Sequence, residues 1–160
     1  MIGDFGLVVA LPLEKLRTSL DELRGRGGRR GHTSGLCEMP VRVTPVGDGT
    51  FEVIDGFKRV RRARAHGDAV VSAVVERPCS RIERMDMLLR ANAPRRTITA
   101  MDEARVVAAM RCEAGAGPKT IASVLGKKPE WVVRRLLIAE RLAPAIQRRV
   151  DEGALGVTLA

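Results

Sequence analysis

Aromatic side chains make up 2% of this chain, with three Phe, one Trp and no Tyr among 160 residues. That removes the stacked-ring platforms by which proteins hold single-stranded nucleic acid. Cysteine is also scarce. Cys37, Cys79 and Cys112 are odd in number, far apart and form no CxxC pair, which argues against a disulfide framework and a thiolate zinc site. His32 and His66 are isolated as well, so spacing builds no metal-ligand cluster. No apolar run is long enough to span a bilayer, and the N-terminus lacks the basic region and long apolar stretch of a secretory signal. The expectation is a soluble cytoplasmic protein with no membrane partner.

Positive charge is abundant. The formal net charge is +9 and the sequence pI is about 10.6, and the excess is carried mostly by arginine. Arginine forks pair with phosphates and with the guanine edge, so a polyanion is the natural partner. With so few aromatics and no strongly amphipathic helix with a bulky apolar face, double-stranded DNA fits better than single strands or an anionic membrane surface.

One segment carries chemistry of its own. The run Phe51-Glu52-Val53-Ile54 reads as a strand, breaks at Asp55-Gly56, and turns into the Arg-rich helix Phe57 to His66. Amides at a helix start point outward with partial positive charge and bind phosphate. Gly56 lets a ligand approach the backbone, and Lys58 and Arg59 add full charges. The local expectation is an anion site, of the kind that suits a nucleotide.

Around that segment the chain divides in two. Leu7 to Ala10 reads as a strand, and Leu13, Leu16, Leu20 and Leu23 predict a helix ending at Gly25. Arg24 to Gly35 is a Gly- and Arg-rich loop. Val41, Val43, Phe51 and Val53 alternate with polar residues around Gly47-Asp48-Gly49, which predicts a hairpin. Gly67 stops the Arg-rich helix, and Val70 to Val75 reads as a buried strand. Residues 1–78 thus form a small mixed-sheet α/β domain. Residues 79–98 form a connecting helix and loop, with Ser80 and Glu83 in a capping-box pattern before Ile82, Met85, Leu88 and Leu89. Residues 99–160 form an all-helical domain. There Thr99 caps a helix to about Ala114 with Ala104, Val107 and Ala108 inward, and Gly115 to Pro118 break the chain.

A helix-turn-helix pattern lies at about residues 119–140. Lys119 and Thr120 open a short helix, and Ala122 supplies the small residue where a second helix crosses. Gly126 supplies the turn four residues later, and Pro129 suits the first turn of the next helix. Val132, Leu136 and Ala139 share one face, with Val133 as the alternative inward register. Lys127, Lys128, Glu130, Trp131, Arg134 and Arg135 then fall near the exposed side, where a recognition helix meets base edges and phosphates. Arg148 and Arg149 on the following helix add phosphate contacts.

Taken in order, these pieces resemble the ParB-type partition proteins, including the KorB and Noc branches, over nearly the whole chain. Gly35-Leu36 with Met39-Pro40-Val41-Arg42-Val43 resembles the family's segment that contacts a cytosine nucleotide. Gly56-Phe57-Lys58-Arg59, followed by Arg62-Ala63, resembles its phosphate motif. Ala91-Asn92-Ala93-Pro94-Arg95 sits where the family has Glu-Asn-Leu-Gln-Arg, with Asp102-Glu103-Ala104 after it. The resemblance implies an α+β protein: a ParB/sulfiredoxin-like α/β domain followed by a helix-turn-helix domain. It implies CTP with Mg²⁺ as cofactor, and a homodimer that closes as a clamp on DNA. It further implies a nucleoid-associated role in plasmid or chromosome partition, with a ParA-type ATPase as a further partner. Gly35, Leu36, Pro40, Gly56, Phe57, Lys58 and Arg59 would lie at the nucleotide; Asn92 would position metal and phosphates, and Arg95 would complete the anion site.

The departures shape the expected chemistry. Ala91 stands where the family opens with glutamate, so no carboxylate is offered there for Mg²⁺ or for water activation. Phe57 replaces an acidic residue, Lys58 replaces an arginine, Glu38-Met39 replaces the usual Gln, and the Asn-Pro-Arg lead-in is missing. Hydrolysis is expected to be weak or absent, with no catalytic residue assigned. The sequence also reaches Ala160 soon after the helix-turn-helix, where the family continues into a linker and dimerisation domain. The main alternative is a helix-turn-helix transcriptional regulator that keeps the first domain as a scaffold. A sulfiredoxin would need Cys where Phe57 stands, and no acidic cluster near Gly56 supports a nuclease or nucleotide-dependent kinase.

Overall fold

The computed structural model describes residues 7–25, 39–93 and 98–156. These form a mixed α/β chain with one five-stranded mixed sheet and six α-helices. They divide into two compact units, residues 7–21 with 39–80, and residues 22–25 with 81–156. No described helix is long and apolar enough to cross a membrane.

In the first unit the strands are β1 (Val8–Pro12), β2 (Leu16–Arg17), β3 (Val41–Gly47), β4 (Thr50–Asp55) and β5 (Val70–Val75), in the spatial order β1-β5-β3-β4-β2. β3 and β4 are the expected antiparallel hairpin. Asp48 and Gly49 at its tip have φ of 51° and 66°, the left-handed pair that matches strand twist in a tight hairpin. Helix α1 (Phe57–His66) then carries the chain to β5, which runs parallel to β3 and antiparallel to β1. Phe57, Val60 and Ala63 recur every third residue along α1 and are buried, as are Val41, Val43, Val53, Ile54 and Ala73 of the sheet. One helical face against the pleat is the usual way such a helix gains its stability. β5 is less buried than its apolar run suggests. Ala73 is fully covered, whereas Val70 and Ser72 on the alternate face are exposed.

The predicted helix from Leu13 to Gly25 does not form. Instead there are two 3-10 turns, Leu13–Lys15 and Ser19–Leu23, with β2 between them. Leu13, Leu16 and Leu20 are buried, as their spacing required. The hydrogen bonds, however, go elsewhere. β2 pairs parallel with Phe51 and Glu52, and the buried Glu52 carboxylate accepts the Leu20 N–H at 3.1 Å and the Ser19 hydroxyl at 2.9 Å. A carboxylate brought in from a strand has replaced the local carbonyls a helix would have used.

The second unit holds α2 (Arg81–Asn92), α3 (Ala100–Glu113), α4 (Pro118–Leu125), α5 (Pro129–Arg141) and α6 (Pro144–Asp151). Thr99 caps α3 as expected. Its hydroxyl accepts the Asp102 N–H at 3.1 Å, and the Asp102 carboxylate accepts the Thr99 N–H at 2.8 Å. The same Asp102 accepts the Gly25 N–H and the Arg105 guanidinium, and Arg105 reaches on to Asp151 of α6. α3 is the central helix, with contacts to α2, α4, α5 and α6. Met101, Ala104, Val106, Val107, Ala109 and Met110 are therefore all buried, while Ala108, expected inward, is half-covered. The register of α5 is settled by burial: Val132, Leu136 and Ile138 are inside and Val133 is exposed. Ala139, placed inward by the spacing, is half-buried.

Candidate functional sites

The β4–α1 turn begins where Asp55 ends its strand. Gly56 has φ 99° and ψ 20°, in the left-handed region. A Cβ there would fall 2.7 Å from Val41 Cγ1 and 3.0 Å from Arg59 Nη2, so glycine is required twice over. The helix starts at once, the Arg59 and Val60 amides donating to the Gly56 carbonyl at 2.8 and 3.1 Å. Lys58 and Arg62 are exposed, one turn apart. Phe57 is 1% exposed, and its ring belongs to the core.

Arg59 is held by its own chain. Its guanidinium donates to the main-chain carbonyls of Met39 and Pro40, the latter at 2.7 Å, and lies 3.5 Å from the Asp55 carboxylate. Pro40 is thereby tied to the glycine turn, while Gly35 and Leu36 lie outside the described residues. A left-handed glycine opening a ten-residue helix, beside an exposed lysine and an arginine fork, fits a phosphate group. The fit to a metal is poorer. No cluster of three or more His, Cys, Asp or Glu among the described residues could hold one.

Asn92, placed at the metal and phosphates by resemblance, is buried at the end of α2. Its side-chain amide donates to the Leu88 carbonyl at 2.8 Å, one turn back. Arg95 lies outside the described residues, and Ala91 is half-buried.

The second site is the turn between α4 and α5. Gly126 adopts φ 61° and ψ 36°, and the Gly126 and Lys127 amides close back onto the Ser123 and Ala122 carbonyls. That is how a left-handed residue ends a helix. Ala122 is buried beside Ile121 and Leu125, and Pro129 sits in the first turn of α5. The turn opens onto a shallow depression lined by Gly126, Lys127, Lys128, Glu130, Trp131 and Arg134. The structure thus gathers five of the predicted residues, Lys127, Lys128, Glu130, Trp131 and Arg134, into one patch. Lys119 and Thr120 are exposed in the first turn of α4, and Arg148 and Arg149 are exposed on α6.

Trp131 is half-buried between cations, with Lys127 Nζ 5.6 Å and the Arg135 guanidinium 4.9 Å from its ring centroid. Arg135 departs from the expectation. It is not a free surface cation, because Glu103 Oε2 on α3 takes its Nε and Nη2 at 2.7 Å each, and its side chain is 18% exposed. Sequence reading missed Glu103. It stands in the acidic first turn of α3, but its partner is 32 residues away, beyond any helical spacing. Arg90 of α2 also escaped notice. It reaches the Val124 carbonyl at 3.3 Å, and its hydrogen bond to Asp86 together with the adjacent charge raises its pKa further.

The architecture is that of a ParB N-terminal fold. A Pnob8-like ParB-N domain matches it with a TM-score of 0.59 at 12% identity, over 95% of this chain and 76% of that chain. Two structures of the C-terminally truncated chromosome-partitioning protein ParB from Caulobacter crescentus also match. The one complexed with CTP-gamma-S gives a TM-score of 0.42 at 19% identity, covering 93% of this chain and 87% of its own. The one complexed to the centromeric parS site gives 0.45 at 18%, covering 92% and 79%. Scores that low establish no common arrangement. The sequence matches no family profile and no curated protein.

Proposed function

We propose that this chain is a ParB-like protein that binds double-stranded DNA through the α4–α5 face and a nucleotide at the β4–α1 turn. The observation that carries the first half is the convergence of Lys127, Lys128 and Arg134 around the Gly126 turn, at the N-terminal end of α5. Helices of this kind enter the major groove by their first turns, with side chains on base edges and phosphates. Lys119 and Thr120 extend the face as phosphate or base contacts, Glu130 as an acceptor for a base edge, and Arg148 and Arg149 add phosphate contacts. A net charge of +9 supplies the long-range attraction.

The second half rests on Gly56, Lys58 and Arg59, and on the resemblance of the surrounding motifs to a CTP site. The Gly56 amide turn and Lys58 would receive phosphates, and Arg59 would exchange its carbonyl partners for a phosphate oxygen. Mg²⁺ would be bound largely through phosphate oxygens and water, since Ala91 brings no carboxylate. Hydrolysis is accordingly weak. The assembly is a homodimer that closes on DNA in partition, with a ParA-type ATPase as a further partner. One observation favours a second reading, a DNA-binding regulator that takes no nucleotide: the Arg59 fork is already engaged by Met39, Pro40 and Asp55.

Calorimetric titration with CTP, ATP and GTP in Mg²⁺, with and without duplex DNA, separates the two. Selective CTP binding supports the clamp reading. Absence of heat with all three nucleotides, while duplex still binds, leaves the regulator.

A further inference from the structure

Arg134 and Arg135 are neighbours on α5 with opposite fates. Arg134 is exposed at the rim of the depression, whereas Arg135 is gripped by Glu103 through two 2.7 Å contacts to one oxygen and stacked against Trp131. An ion pair of this geometry is close to neutral seen from outside, so it presents no net charge to a polyanion. The field at the start of α5 then comes from Lys127, Lys128 and Arg134, offset in part by Glu130.

We propose that Glu103 is a selectivity residue, which withholds Arg135 from the DNA backbone and so limits binding to random sequence. The inference rests on the DNA-binding reading of the α4–α5 face. Affinity for random duplex is set by how many phosphates meet a cation, and each adds about 0.9 to the slope of log K against log salt. A chain of charge +9 gains non-specific affinity easily; what it must protect is the ratio of specific to non-specific binding. Glu103 does this from a helix outside the α4–α5 pair. Trp131 serves as the plate on which the held guanidinium lies, and it keeps Lys127 beside the depression by the same ring attraction.

The test is the binding of random duplex and of a selected high-affinity duplex across a salt series, by fluorescence anisotropy. Glu103→Gln keeps the side chain's size and an accepting oxygen but removes the charge. It should tighten random-duplex binding several-fold, steepen its salt slope by about 0.9, and lower the specificity ratio. Glu103→Gln/Arg135→Gln should return the slope to the wild-type value. Asp48→Asn, which makes the same charge change at the β3–β4 tip, should leave it alone. A steepening that persists in the double variant, or that Asp48→Asn reproduces, overturns the proposal, as does no steepening in a folded Glu103→Gln.

If Glu103→Gln does not fold, Arg134→Gln and Arg135→Gln decide the matter. The proposal requires Arg134→Gln to lose about one phosphate's worth of slope and Arg135→Gln to lose less than half of that; equal losses overturn it. A wild-type protein with no salt-dependent duplex binding would overturn the DNA-binding reading itself, a result distinct from an unchanged slope in a variant that still binds.

Discussion

The Arg59 guanidinium, projecting from the first turn of α1, donates to the Pro40 main-chain carbonyl at 2.7 Å and to that of Met39 beside it. One side chain therefore fastens the lead into β3, and on the proposed nucleotide-binding reading it also receives a phosphate. The two roles can be separated by charge and shape. Arg59→Ala removes both, and should lower stability by about 1–3 kcal/mol through carbonyls that lose their donor, with CTP affinity falling tenfold or more. Arg59→Lys keeps a point charge but not a planar fork. It should keep part of any nucleotide affinity while losing most of the stability that the fork contributes, read by calorimetry and urea unfolding side by side.

Glycine at position 56 is under two constraints, and a paired substitution measures them separately. Gly67 ends α1 with φ 78° and open space around its missing Cβ, whereas Gly56 at φ 99° has Val41 Cγ1 2.7 Å from that position. Gly67→Ala should cost about 1–2 kcal/mol from the left-handed backbone alone. Gly56→Ala should cost that and a further 1–3 kcal/mol or so for overpacking against Val41 and Arg59. Urea midpoints of the two variants, compared at equal m, give the difference directly. Equal costs would mean that Val41 yields freely, and the turn would then owe its glycine to φ alone.

What could be read in advance follows a physical line. The β3–β4 hairpin, α1 with its Gly67 stop, the Thr99 cap and the Gly126 turn were all legible, because each is set by residues within a few positions of one another. The segment from Leu13 to Leu23 was not. Its leucines have helical spacing, but the bonds that decide its shape come from Glu52, a strand residue 32 positions from Leu20. Arg135 failed for the same reason, its exposure being cancelled by Glu103 on another helix. In the candidate sites, the residue types were visible from spacing and their availability was not. Whether a cation is free or held depends on partners that only the folded chain brings near.

Glu52 itself offers a local test of that argument. The residue is 3% exposed, and its carboxylate accepts the Leu20 N–H at 3.1 Å. Removing a buried acceptor charges the full desolvation of the donor to the folded state. Glu52→Ala should therefore destabilise the protein by about 1–3 kcal/mol beyond any loss of packing, and the Leu20 amide should lose its hydrogen-exchange protection first. Protection at Leu20 that survives the substitution would show that the 3-10 turn is held by its buried leucines instead.

Lys128 and Arg134 occupy the start and the second turn of α5, both exposed at the depression that the Gly126 turn creates. If they reach base edges, each alanine substitution should cost about 1–3 kcal/mol on the preferred duplex and much less on random sequence. If they reach only phosphates, both duplexes should weaken alike, and the salt slope should fall by about 0.9 for each residue removed. Arg134→Lys sharpens the distinction. A lysine satisfies a phosphate as a point charge, but it cannot reproduce the bidentate fork to guanine. Retained affinity with lost sequence preference would assign Arg134 to a base edge; affinity and preference both retained would assign it to the backbone. The second result is expected, because Arg135 is held by Glu103 and Arg134 is left as the exposed arginine at the depression to meet a phosphate.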